Sequence, residues 1–344
     1  MWLLKEAQYA TLKDVAQRAG TTAATVSYVL SNSKKRYISE DMRRRVEQAA
    51  RELNYVKSSA ASSLRGKKRK IIAVLVPQFR NQFFTELVLD IETVADRFGY
   101  ILSICNTFDD PDREAEILNR MQAQRVDGYI ITPSARGGEN TRQIRQIGVP
   151  LVVVDRSLDV DEDYFWVSSQ NYESVQLAAD YLIGHGHRKI AYIGWEADFG
   201  GLQQREQAYW ESLERAGIPR EDGIAYNGLF TEQDGAKLTQ RALAEHPDAT
   251  ALVYAYNVQA RGGVQYLAQH GIVPGRDISL IIIGSPNWAR TGANNFTCVD
   301  LGGGGLGRMA AEMLFEIIES ENPPAPCKQI QSCFLVEGSS VYRL

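Results

Sequence analysis

The chain has 344 residues, enough for two or three domains, and its 44% apolar and 23% charged residues match a soluble globular protein and exclude wholesale disorder. No run approaches the ~20 apolar residues that cross a bilayer, and the start Met1-Trp2-Leu3-Leu4-Lys5-Glu6 lacks the basic region of a signal peptide. The net charge of −4 hides an asymmetry: residues 1–70 hold 16 Lys and Arg against 6 Asp and Glu, whereas the remaining 274 hold 22 against 36. A small basic head on a large acidic body points to nucleic-acid contact at one end and another task at the other. Cys105, Cys298, Cys327 and Cys333 form no CxxC pair, so neither a zinc site nor a disulfide framework is indicated, and a reduced, cytoplasmic setting is expected.

In the head, Thr11 opens a short helix with Asp14 as capping partner, Val15, Ala16 and Ala19 form its apolar face, and Gly20 ends it. Thr22 caps a second helix over Ala23–Leu30 with Val26, Val29 and Leu30 inward. Ser39 caps a third that runs to about Leu53, with Met42, Val46, Ala49, Ala50 and Leu53 at helical spacing. Two short helices joined by a Gly-containing turn describe a helix-turn-helix. Its second helix would read DNA, with Thr25 and Ser27 as short hydroxyls and Ala23, Ala24 and Tyr28 in the turns that meet bases. Residues 57–70 follow with small side chains over Ser58–Ser63, then Leu64 and a basic run to Lys70. That composition suits either a hinge helix that folds against the minor groove, with Leu64 as a wedge, or a flexible linker.

From Ile71 apolar runs alternate with amphipathic segments. Ile71–Val76, Ile101–Cys105, Tyr129–Ile131 and Leu151–Val154 read as buried parallel strands, with helices around 84–98, 111–124 and 140–147. The alternation resumes with helices over 171–184, 204–216, 232–245 and 258–270 and strands over 190–193, 251–254 and 278–283. This is a doubly wound α/β plan repeated twice, and ligands in such sheets bind beyond the carboxyl ends of the strands. Asp155 and Arg156 end one strand, Arg205 follows another, and Phe83 and Phe84 follow a third: a carboxylate, a guanidinium and an aromatic face suit a sugar or nucleoside.

The segments TLKDVAQRAGTTAATVSYVLSNS, YISEDMRRRVEQAARELNY, AASSLR and GHRKIAYIG, in this order, resemble the lac/gal repressor family of bacterial regulators over nearly the whole chain. The resemblance implies a helix-turn-helix domain over 1–56, a hinge over 57–70, and an effector-binding and dimerisation domain over 71–344. The last is expected to resemble the periplasmic-sugar-binding-protein fold, its lobes covering roughly 71–155 plus 300–322 and 160–290 plus 328–344, with crossovers near 156–160, 284–300 and 321–330. It places Thr11, Leu12, Thr22, Ala23, Ala24, Thr25, Ser27, Tyr28, Asn32, Ser39 and Tyr55 at DNA, with Ser58, Ala61 and Leu64 at the hinge. Phe83, Asp155, Arg205, Tyr256 and Trp288 are the effector-binding candidates.

The departures are informative. Tyr28 stands where the family usually has Arg, Lys57 and Ser58 replace a frequent Pro-Asn, and Ser62 replaces a frequent Arg. Tyr256-Asn257 stands for Asn-Asp, and Gly284-Ser285-Pro286-Asn287-Trp288 lacks the usual Asp. A hydroxyl acceptor is therefore expected to be lost and aromatic area gained, which favours a glycoside, nucleoside or aromatic-bearing ligand over a free hexose. The implied function is a sequence-specific transcriptional regulator, most often a repressor in this family, acting as a homodimer on operator DNA under a small-molecule effector. A regulator whose sensor no longer binds ligand and serves only dimerisation is the alternative. A dinucleotide-dependent enzyme is a more remote one, because Gly302–Gly307 satisfies GxGxxG but no acidic strand end follows it. His185 and His187 lack further metal ligands, and no catalytic constellation appears. No cofactor, metal or membrane partner is expected.

Overall fold

The computed structural model describes residues 10–31, 37–56, 68–196, 200–292 and 295–344. The chain divides into two compact units, Met1–Arg69 and Lys70–Leu344.

The first unit is three helices: α1 (Leu12–Ala19), α2 (Ala23–Leu30) and α3 (Glu40–Glu52). Each begins where a hydroxyl satisfies an otherwise unpaired amide. Thr11 and Asp14 form a reciprocal capping box, Thr22 accepts from the Thr25 amide at 3.2 Å, and Ser39 accepts from the Met42 amide at 3.3 Å. Gly20 closes α1 in the left-handed conformation (φ 64°) and leaves room for Arg45, whose Nη2 donates to the Ala19 carbonyl at 2.6 Å. Val15, Ala16, Ala19, Val26, Val29, Val46 and Ala49 form the buried core.

The second unit holds two six-stranded sheets. The first contains β1 (Ile71–Val76), β2 (Ile101–Asn106), β3 (Gly128–Ile131), β4 (Leu151–Val154), β5 (Phe165–Ser169) and β11 (Lys328–Gln331), in the order β11-β5-β4-β3-β1-β2, all parallel. The second contains β6 (Ile190–Trp195), β7 (Ile224–Gly228), β8 (Ala251–Tyr254), β9 (Ser279–Ile283), β10 (Thr297–Asp300) and β12 (Phe334–Val336), in the order β12-β10-β9-β8-β6-β7. Only β12 runs antiparallel to its neighbour there. The main helices that cover them are α4 (Gln82–Arg97), α5 (Pro111–Ala123), α8 (Asn171–Gly184), α9 (Gly200–Arg215), α10 (Glu232–Glu245), α11 (Asn257–Gln269) and α12 (Gly303–Glu319). Two short turns, α6 (Gly137–Asn140) and α7 (Arg142–Gln146), replace the single helix expected over 140–147.

Three other expectations change. The short strand β5 belongs to the first sheet, so the first crossover falls at Gln170 rather than at 156–160. The other crossovers lie between β10 and α12 and between β11 and β12, later than 284–300 and 321–330. The strand at 101–106 is an edge rather than a buried strand, with Ile101 66% exposed. The three crossovers are bonded to one another. Ser169 Oγ donates to the Leu301 carbonyl at 3.2 Å, the Gln170 amide to the Gln331 carbonyl at 3.1 Å, and the Cys333 amide to Gln170 Oε1 at 3.0 Å.

Candidate functional site

The carboxyl ends of both sheets face one cleft with about 880 Å³ of empty space, part of it open to solvent. Strand ends bring its wall together from segments far apart in sequence. Phe83 stands in the first turn of α4, Asp155 follows β4, Arg205 lies on α9, and Tyr256 follows β8.

Asp155 adopts φ +67°, a conformation costly for a residue with a side chain, and its backbone is held there from both sides. Its amide donates to the Val167 carbonyl at 2.8 Å and its carbonyl accepts from Ser168 Oγ at 2.9 Å. Burial raises the Asp155 pKa above the usual carboxylate range, partly offset by the charges of Arg156 and Arg205. Arg205 is itself only 4% exposed. Its Nε donates to Asn171 Oδ1 at 2.9 Å, Nη1 donates to the Ala255 carbonyl, and the guanidinium lies 4.6 Å from the centre of the Tyr256 ring. Its Nη2 has no partner among the described residues. Arg156, equally buried, grips the Asp109 carboxylate with both terminal nitrogens (2.5 and 3.0 Å) and lies over Trp195 at 5.2 Å.

Trp195, Phe230 and Tyr256 form an aromatic corner with ring centres 4.8–5.8 Å apart. Across the mouth, Asn257 Nδ2 donates to Asn81 Oδ1 at 3.0 Å, and the Asn287 amide donates to Gln82 Oε1 at 2.9 Å, linking the lobes. Trp288 stands apart from this wall. After Pro286 the chain makes a 3₁₀ turn over Asn287–Arg290, and the partly buried indole packs near Phe296, ring centres 6.2 Å apart. Gly284, Ser285 and Pro286 line the cleft in its place.

The sequence reading missed Trp195, Phe230 and Asp300, all of which line the cleft. Trp195 and Asp300 end strands β6 and β10, so the strand-end rule applied more widely would have found them; Phe230 follows β7, too short and polar to stand out. The expected loss of a carboxylate at Gly284-Ser285 is thus accompanied by one nearby, on Asp300.

In the first unit, Thr11, Thr22, Ala24 and Ser39 are exposed, while Leu12, Ala23, Thr25, Ser27, Tyr28 and Tyr55 are half-buried. Leu12, Ala23 and Tyr55 also pack against the head core, so part of each side chain is committed to folding. The three capping hydroxyls sit at helix N-termini, where exposed amides and the helix dipole attract phosphate. Asn32, Ser58, Ala61 and Leu64 lie outside the described residues.

The other motifs have structural partners. His187 bonds Thr250 Oγ1 (2.9 Å) and the Tyr342 carbonyl (3.0 Å), while His185 bonds the Tyr181 carbonyl (2.8 Å), so the HxH pair shares no ligand. The glycine run forms the start of α12, with Gly302 as its N-cap. A side chain at Gly302 or Gly305 would strike Gln331, and one at Gly307 the Leu87 carbonyl of α4, so these glycines permit close packing. Among the described residues, no group of three or more His, Cys, Asp or Glu is placed to hold a metal, and no helix is long and apolar enough to cross a membrane.

Residues 11–58 match the bacterial regulatory proteins of the lacI family, and residues 69–336 match the periplasmic binding proteins and sugar binding domain of LacI family. The chain belongs to the LacI family. It is 29% identical over 310 residues to the HTH-type transcriptional repressor PurR of Mannheimia succiniciproducens, covering 90% of this chain and 92% of that one. It is 32% identical to the ribose operon repressor of Halalkalibacterium halodurans over 255 residues, 74% of each chain. A solved LacI-family transcriptional regulator from Silicibacter pomeroyi superposes with a TM-score of 0.83 at 25% identity, covering 97% of this chain and all of that one. This LacI-family chain is therefore a DNA-binding transcriptional regulator: a helix-turn-helix unit followed by a two-sheet α/β unit of the effector-binding kind.

Proposed function

We propose that the chain is a cytoplasmic repressor, and not an enzyme, that binds operator DNA as a homodimer through Thr11, Thr22, Ala24, Thr25, Ser27, Tyr28 and Ser39, and answers to an effector held in the cleft. Two heads reading related half-sites call for twofold symmetry. The effector is a sugar, glycoside or nucleoside-like molecule held by Phe83, Asp155, Arg205 and Tyr256. Four groups from separate chain segments converge on one cleft, and this observation carries the reading. A carboxylate on a strained backbone, a buried guanidinium with one nitrogen unpartnered among the described residues and an aromatic corner offer acceptor, donor and stacking surface together. Because the wall is built by both lobes, a ligand there favours one lobe arrangement, and a differential affinity between arrangements is what an allosteric effector needs.

The polar groups and aromatic rings that line the cleft beside Tyr256 favour a working sensor over one kept only for dimerisation. The packing of Gly302, Gly305 and Gly307 against Gln331 and α4 speaks against a dinucleotide site. Genomic footprinting tests the DNA half. The full chain should protect discrete, near-palindromic sites with steep salt dependence, and residues 70–344 should lose at least about a thousandfold in affinity for them. Retained site binding by residues 70–344 contradicts the reading.

A further inference from the structure

We infer that Asp300 is a ligand-recognising carboxylate of the second lobe, acting opposite Asp155 of the first to fix which hydroxyl pattern the effector must carry. The inference rests on the reading of the cleft as the effector site. Strand β10 runs parallel to β9 with Val299 beside Ile283, which sets Asp300 next to Gly284, the first residue beyond β9. Gly284 adopts φ +91°, where a side chain is strained, and the space its missing Cβ would fill is open, with only Asn257 Cβ near, at 3.7 Å. Gly284 itself therefore presents no side chain to the cleft, and the neighbouring strand's Asp300 stands beside it.

The Asp300 side chain is fixed but not used up. Its Oδ1 accepts the Gly302 amide at 2.7 Å where the chain turns into the crossover. Asp300 takes part in no ion pair among the described residues, so Oδ2 remains for a donor. The Asp155 carboxylate likewise has no hydrogen-bond donor among them. A carboxylate oxygen accepts, so both groups can take a donor from the ligand, while Arg205 Nη2 needs an acceptor. A hydroxyl serves both needs at once, donating to a carboxylate while accepting from the guanidinium. Both terminal nitrogens of Arg156 donate to Asp109. A flat aromatic without hydroxyls would leave both carboxylates unmatched in a partly desolvated cleft.

The test is calorimetry on the full chain and on Asp300→Asn, which keeps an oxygen to accept the Gly302 amide and removes the charge. The probes are D-glucose, D-ribose and adenosine with their monodeoxy analogues. The wild type is expected to bind at least one parent and to reject one of its deoxy analogues about tenfold or more. In Asp300→Asn that parent should weaken about tenfold and the discrimination should fall to about threefold or less, with an unchanged melting temperature showing an intact fold. Discrimination that survives Asp300→Asn overturns the role of Asp300 and leaves the effector site standing. Failure of every probe to bind the wild type removes both together.

Discussion

The head and the body of this protein fold by different rules. In the head the buried side chains are Val and Ala, and each helix starts at a hydroxyl cap, so short-range contacts between residues three apart decide where structure begins. The Arg18–Glu52 pair joins α1 to α3 at the surface, where such pairs contribute little. In the body Tyr129, Tyr192, Tyr209, Tyr254 and Phe315 are fully buried, and helices meet at glycines where no side chain fits. A small core is marginal and leans on local signals, whereas a large one is set by packing between distant segments. The proposed function follows the same division. It assigns the helix ends of the head to an extended polyanion and the cleft of the body, lined by segments far apart in sequence, to a small molecule.

The sharpest way to break this comparison is to disturb packing in the body alone. A Cβ at Gly262 on α11 would be driven into the Glu232 carbonyl of α10. Gly262→Ala should destabilise the larger unit by about 3 kcal/mol, the upper end of overpacking costs. Differential scanning calorimetry should show its transition fall while that of the head stays in place. Equal shifts of both would mean that the two units do not fold by separate rules.

A smaller effect comes from His187, fully buried between Thr250 and Tyr342. Burial lowers its pKa below the ordinary 6.5, so the imidazole is neutral in the folded state, while the unfolded chain takes up the proton near 6.5. The unfolded state thus binds more protons as pH falls, and this contribution is complete above about 6.5 and lost below it. Melting curves from pH 7.5 to 5 should show a body that weakens by up to about 1.4 kcal/mol per pH unit from this group. His187→Gln should flatten that slope. An unchanged slope would place the sensitivity elsewhere.

The smallest effect belongs to the head. Thr22→Ala removes the oxygen that accepts the Thr25 amide and should cost the head about 1 kcal/mol, read by circular dichroism melting of the full chain. A body unfolding temperature that moves with it would blur the distinction between the units.

What could be read from the sequence follows the same boundary. The caps at Thr11, Thr22 and Ser39, the stop at Gly20 and the helix Ala23–Leu30 lie where their residue types place them, because each needs only neighbours within a turn. Apolar strands such as Leu151–Val154 were equally plain. Strands β5 and β7 were not, since FWVSS and IAYNG carry too few apolar residues to announce themselves and are defined by the strands they pair with. The misplaced first crossover follows from missing β5. In the cleft, Phe83, Asp155, Arg205 and Tyr256 were found by strand ends and family pattern, and they do share one cavity. Trp288 lies away from the cleft lining, in the 3₁₀ turn after Pro286 and near Phe296, and Asp300 needed the strand-end rule to be carried on to β10.

If the cleft governs the head through a bound ligand, Arg205→Ala should uncouple the two. With a site taken from footprinting, operator affinity is measured by fluorescence anisotropy for the wild type and the variant, across a panel of sugars, glycosides and nucleosides. At least one compound should shift the wild-type affinity. Arg205→Ala should bind the operator alone as the wild type does, and it should need tens to hundreds of times more of that compound, the loss of about 2–3 kcal/mol in hydrogen bonds to a charged group. An undiminished response in Arg205→Ala would contradict the account.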